Sequence, residues 1–190
     1  KRQSLVVGGL ICLVAGVHYF YMREVWASTG TSPTVFRYVD WIVTVPLQMV
    51  EFYLILAAVT AVSMGVFWRL LIGTVVMVVA GYMGEAGFIN TTIGFVVGMA
   101  GWAYILYEIF SGEASKSAAN AKPSVQSAFN TMKWIVTIGW AIYPLGYFLG
   151  YLAGGTDEAT LNIVYNVADF INKIGFCLAI WAAATTEADA

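Results

Sequence analysis

Charge is what this sequence has least of. Nine Lys and Arg and eleven Asp and Glu are spread over 190 residues. That is 11%, against about 25% in an ordinary soluble domain. Together with 60% hydrophobic residues and a mean hydropathy of +0.78, it excludes water as the solvent of this chain. A net charge of -2 and a pI near 5.3 exclude a basic surface, so no nucleic-acid partner is expected. Cysteine is limited to Cys12 and Cys177, each inside an apolar run. That excludes a disulfide framework and a metal site, and both thiols read as small core residues.

What the chain has instead is apolar length. Six runs are long enough to cross a bilayer as helices: Leu5 to Tyr21, Val35 to Ala58, Trp68 to Phe88, Ile93 to Phe110, Val125 to Leu152 and Leu161 to Ala184. Polar breaks at Ser28 to Pro33, Ser111 to Pro123 and Gly154 to Glu158 separate several of them. The first run lacks a small-residue cleavage site, so it reads as a span and not as a signal peptide. The expectation is an all-α, multi-pass helix bundle in one domain over residues 1–190, with the lipid bilayer as its partner.

An even number of spans puts both termini on one side. If that side is cytoplasmic, Lys1, Arg2, Arg69, Lys116, Lys122 and Lys133 fall inside and only Arg23 outside, as the positive-inside rule prefers. Gly73, Gly81, Gly84, Gly94, Gly98 and Gly101 cluster in the third and fourth spans, where small residues let helix backbones approach closely. Asn90-Thr91-Thr92 fits a glycosylation sequon, a pattern too short to mean anything in a bacterial membrane.

Five ionisable residues lie inside spans: Arg37, Asp40 and Glu51 in the second, Asp169 and Lys173 in the last. Each costs about 2.5–3.5 kcal/mol or more at mid-bilayer, so partners or function must offset it. On the second span Asp40, Thr44, Gln48 and Glu51 share a face within about 80°. Eleven residues separate its two carboxylates, about 16 Å along a helix, so something between them must carry a proton if they communicate. Asp169 and Lys173 stand one turn apart on one face. A pair so placed either stitches helices together or serves a reaction, because a partly desolvated lysine is the residue that forms Schiff bases. Trp41, Trp102, Trp140, Tyr143 and Tyr165, from four spans, suit the walls of a flat apolar ligand's pocket. Pro46 and Pro144 permit bends in the second and fifth spans.

These residues together resemble the microbial (type 1) rhodopsin family. The motifs are Arg37-Tyr38-Val39-Asp40-Trp41 with Thr44-Val45-Pro46-Leu47, Trp140-Ala141-Ile142-Tyr143-Pro144, and Asp169-Phe170-Ile171-Asn172-Lys173. Within the family the likeness is to the blue-absorbing proteorhodopsin branch, through Ser32 to Tyr38, Gly81 to Gly87 and Gln126 to Met132, with Gln48 at the colour-determining position. The resemblance implies light-driven outward proton transport, not enzyme catalysis, in a bacterial inner membrane. It implies all-trans retinal held as a protonated Schiff base on Lys173, with Asp40 as counterion and proton acceptor, Asp169 as second counterion and Glu51 as proton donor. Thr44 completes the pump pattern, Arg37 leads to the exit, and His18 hydrogen-bonds Asp40 and tunes its acidity. Trp41, Gln48, Met77, Trp102, Trp140, Tyr143, Pro144 and Tyr165 would line the retinal site. A pentameric or hexameric ring is also implied, as is a seventh helix preceding the six found here. Glu85 would serve proton release or only a helix-end bond. Two other readings stay open: a photosensor of the same fold, and a retinal-free transporter or structural membrane protein.

Overall fold

A computed structural model describes residues 2–186. Lys1, part of the inner-side charge count, and residues 187–190 at the end of the expected domain lie outside the described residues. The order is α1 (Arg2–Thr29), α2 (Thr34–Ala57), α3 (Met64–Glu85), α4 (Thr91–Phe110), α5 (Glu113–Ala119), α6 (Pro123–Trp134), α7 (Ile142–Tyr147) and α8 (Glu158–Thr186). Two π-helical turns, Ile135–Gly139 and Phe148–Leu152, join α6 through α7 into one spanning rod. Among the described residues six rods are long and apolar enough to cross a membrane, as expected. Large apolar side chains such as Phe20, Ile72, Val96, Ile138 and Phe170 point outward, the pattern of a protein whose solvent is lipid.

The expected glycine packing sits between α3 and α4. A Cβ on Gly94 would lie 2.8 Å from the Ala80 carbonyl oxygen and 2.8 Å from Gly84 Cα; one on Gly101 would lie 2.8 Å from the Gly73 carbonyl oxygen. These neighbours are backbone, which cannot swing aside. Gly101→Ala is therefore expected to destabilise the bundle by about 1–3 kcal/mol. Gly16→Ala, where nothing lies within 4 Å, should cost far less. Equal denaturation midpoints for the two variants would rule out the close packing as the cause. Asn90 has a plainer use than a sequon: its side chain caps α4 by accepting from the Thr92 and Ile93 amides at 3.0 and 3.2 Å.

The π turns occur where Pro144 disturbs the ladder. The Trp140 amide reaches back to the Ile135 carbonyl at 3.0 Å, a five-residue step. Carbonyls loosened by the bend find side chains from neighbouring helices: Trp102 Nε1 donates to Val136 O at 3.0 Å, and Asn172 Nδ2 to Gly139 O at 3.0 Å. Gly139 leaves room for that amide: an added Cβ would meet the Asn172 side chain, which would have to shift.

One expectation needs correction, and two features add to the sequence reading. The polar, Ala-rich Ser111 to Pro123 break between spans contains the short helix α5. Cys12 is exposed on the lipid side of α1 and Cys177 only partly buried, so neither is a core residue; the groove between α1 and α8 leaves their faces open. Arg69 reaches Glu108 and Glu113, each at 2.8 Å, and Glu108 is buried within the fourth span.

Candidate functional site

Two polar faces meet in the middle of the bundle. On α2, Asp40, Thr44, Gln48 and Glu51 are all buried, as the shared face requires. On α8, Asn162, Asn166, Asp169 and Lys173 follow helical spacing toward them. Lys173, 4% exposed, donates from Nζ to Asp40 Oδ2 and, at 3.1 Å, to Asp169 Oδ2. One ammonium thus sits between two carboxylates.

Those carboxylates are not equivalent. Asp169 accepts from Tyr19 and Tyr143 hydroxyls at 2.6 Å each, from Trp41 Nε1 at 3.1 and 3.2 Å, and from Lys173. Asp40 accepts from Lys173 alone, and its Oδ1 is buried with no partner among the described residues. Asp169 is held by donors from several sides. Asp40 has an oxygen to spare.

Along α2 the hydroxyl of Thr44 donates to the Asp40 backbone carbonyl at 3.0 Å. Further on, Gln48 Nε2 and both Glu51 oxygens are buried without hydrogen-bond partners among the described residues. Ser4 of α1 stands beside Glu51. In the other direction Arg37 donates to Asn162 Oδ1 at 2.6 Å and to Asn166 Oδ1 at 3.0 Å, with its guanidinium 5.3 Å from the Tyr165 ring centre. The arginine lies beyond Asp40 but makes no bond to it.

His18 departs from its expected contact. Its Nδ1 pairs with the Val14 carbonyl of its own helix at 2.9 Å, and no hydrogen bond to Asp40 is formed among the described residues. A hydrogen-bonding ring nitrogen one turn above a carbonyl finds that carbonyl first.

Next to the lysine lies an apolar cavity whose lining includes Asp169. Trp41, Met77, Trp102, Trp140, Tyr143, Pro144 and Tyr165, all expected to form a pocket, line it. Trp41 packs edge-on against Tyr143 and Tyr165, with ring centres 5.1 and 5.7 Å apart, so one end of the cavity is an aromatic floor beside Asp169. Lys173 and Gln48 stand behind that lining and not in it. A long, flat, apolar molecule with one polar end suits this space: rings and a methionine for its body, and the Lys173–Asp40–Asp169 cluster at one end. Retinal has that shape and a carbonyl for the lysine, so the residues present fit it.

Sequence reasoning passed over Tyr19, Asn162 and Asn166. The asparagines carried a signal, since with Asp169 and Lys173 they form a polar stripe of helical period on α8. Tyr19 carried none, standing 150 residues from Asp169 in the chain. Glu85 also lines the cavity, which neither of its two expected roles foresaw.

Comparison with known proteins agrees with this geometry. The family model described as bacteriorhodopsin-like protein matches residues 1–187. The chain is 54% identical over 187 residues to the green-light absorbing proteorhodopsin of Gamma-proteobacterium EBAC31A08, covering 98% of this chain and 75% of that relative. It is 53% identical over 188 residues to the blue-light absorbing proteorhodopsin of Gamma-proteobacterium Hot 75m4, with the same coverage. The crystal structure of blue light-absorbing proteorhodopsin from Med12 superposes with a TM-score of 0.84 at 53% identity, covering 98% of this chain and 84% of that one. A bundle of six membrane-spanning rods, a lysine held between two carboxylates beside an aromatic cavity, and a family match over nearly its whole length leave one conclusion: this multi-pass chain belongs to the bacteriorhodopsin-like family of rhodopsins.

Proposed function

We propose that the chain is a light-driven outward proton pump that carries all-trans retinal on Lys173. The observation that carries this reading is the inequality of the two carboxylates at Lys173 Nζ. Asp169 is saturated with donors, whereas Asp40 keeps an oxygen open to a proton. Retinal bound at that nitrogen supplies visible absorption and a change of shape that reorients Nζ. The chain's own groups do the rest. Asp40 Oδ2, already in contact with Nζ, takes the proton, while Asp169 remains the anion that balances the site. Arg37, beyond Asp40, offers the next fixed charge on the way out. Glu51 refills Nζ from the other end of the stripe, past Gln48 and Thr44. Its two carboxyl oxygens are buried and make no hydrogen bond among the described residues. Acceptor and donor lie on opposite sides along the membrane normal, so one cycle moves one proton one way.

The test is light-induced pH change in vesicles holding the protein and all-trans retinal. Acidification on the side Asp40 faces is expected. A visible band without pH change would favour a sensor, and no band would return the chain to the transporter or structural reading. Glu51→Gln should keep the band and slow its recovery after a flash by about 100-fold or more, the scale of losing a positioned proton-transfer group. Unslowed recovery would remove Glu51 from the path.

Green- and blue-named relatives match this chain almost equally, so overall similarity does not choose its colour. Gln48 favours blue, because a buried amide with an unpaired Nε2 near the lysine biases charge toward one end of a polyene. Gln48→Leu is expected to move the absorption maximum to longer wavelength. An unshifted maximum would defeat the assignment. A bacterial inner-membrane location, supported by the likeness to proteorhodopsins of two gamma-proteobacteria and of an unknown prokaryotic organism, completes the proposal, to which a pentameric or hexameric ring is added.

A further inference from the structure

Asn172 is 4% exposed and stands directly before Lys173 in the chain. The π turn gives it something to hold. The Tyr143 amide, which a regular helix would aim at the Gly139 carbonyl, bonds the Trp140 carbonyl at 3.1 Å instead. Asn172 Nδ2 supplies a donor to Gly139 O at 3.0 Å, and the same group, which has two hydrogens, donates to the Tyr143 hydroxyl at 3.3 Å. A hydroxyl that accepts from an amide has its own proton free for another acceptor, and Tyr143 directs it at Asp169 Oδ1, 2.6 Å away. The opposite oxygen of Asp169 receives Lys173 Nζ at 3.1 Å. Gly139 is what lets the amide in: a Cβ there would overlap Asn172 Oδ1 and stand 2.9 Å from its Cγ.

We propose that Asn172 is a positioning residue for the Schiff-base lysine, coupling the backbone of the π turn to the counterion through Tyr143. The inference deepens the retinal reading of Lys173 and rests on it. One amide group serves both Gly139 O and the tyrosine, so displacing the bent rod against α8 strains both bonds together. When the hydroxyl is drawn from Asp169, that carboxylate loses a donor and its negative charge acts more strongly on Nζ. Gly139 is not among the described residues that line the cavity. A turn of backbone outside the pocket thereby sets the charge beside the retinal nitrogen.

The test compares the parent chain in lipid discs with Asn172→Ala, Gly139→Ala and the double variant. The visible maximum is read with all-trans retinal added, and the denaturation midpoint without it. Asn172→Ala is expected to move the maximum to shorter wavelength, because a counterion less firmly held by the Tyr143 hydroxyl binds the positive nitrogen more tightly. Gly139→Ala should move it the same way, since its methyl displaces the Asn172 amide. The double variant should shift no further than Asn172→Ala, and the retinal-free midpoints should be non-additive too, because removing the amide leaves room for the methyl. Should Asn172→Ala not fold, Tyr143→Phe reads the same link, and Gly139→Ala is expected to add no shift to it. Shifts or midpoints that add, or a midpoint lowered with the maximum unmoved, would overturn the proposal. No band in the parent chain would bring down the retinal reading and this one with it, whereas a parent band unmoved by Asn172→Ala brings down this one alone.

Discussion

Lys173→Ala is expected to abolish the visible band that the protein gains with all-trans retinal, and with it every light response. The cavity would remain, because its walls come from other residues. What disappears is the amine that lies between Asp40 and Asp169. The same change leaves two buried carboxylates without their shared cation. Breaking a buried pair by removing one partner costs about 3–5 kcal/mol, so this variant should also denature earlier. The two effects can be separated. Asp169 keeps its bonds from Tyr19, Trp41 and Tyr143, but Asp40 is left with nothing. Adding Asp40→Asn to Lys173→Ala should therefore recover much of the stability and none of the band. A band surviving in either variant would mean that retinal is held elsewhere.

Asp40→Asn alone should leave a coloured protein that does not acidify its surroundings. An amide has the carboxylate's shape but no place for the proton, so illuminated vesicles should lose the pH change by about 100-fold or more. The band should persist, because Asp169 still faces Lys173 Nζ at 3.1 Å. Its maximum should shift, since a negative charge beside the nitrogen has gone. Asp169→Asn is the informative comparison: four donors would then face an amide that can receive them only in part, so folding should suffer more than in Asp40→Asn. If Asp40→Asn pumped normally and Asp169→Asn did not, the roles given to the two carboxylates would have to be exchanged.

The six spans were legible because lipid imposes a length on every helix that crosses it, and length survives in sequence. The α2 stripe was legible for a similar reason: four polar residues of helical period in an apolar run have no neutral explanation. Bonds closing across the fold were not. Tyr19 to Asp169 and Arg69 to Glu108 join positions whose spacing carries no period. Helix α5 was hidden because its cap is tertiary: Glu108 accepts the Ala114 amide at 2.9 Å from the preceding helix, so no Ser or Thr marks the start. His18 shows the converse, a residue whose type suggested a long-range partner and whose Nδ1 pairs within its own helix.

The two clasped carbonyls of the bent rod carry a consequence for vibrational work. Most backbone oxygens in a membrane helix answer to amides of the same helix, and their stretching frequencies merge into one band. Val136 O answers to an indole of α4 and Gly139 O to an amide of α8. A carbon-13 label at either carbonyl would give an isolated infrared line whose frequency is set by a neighbouring helix. The pair becomes a displacement gauge, one end fixed to α4 and the other to the helix that carries Lys173.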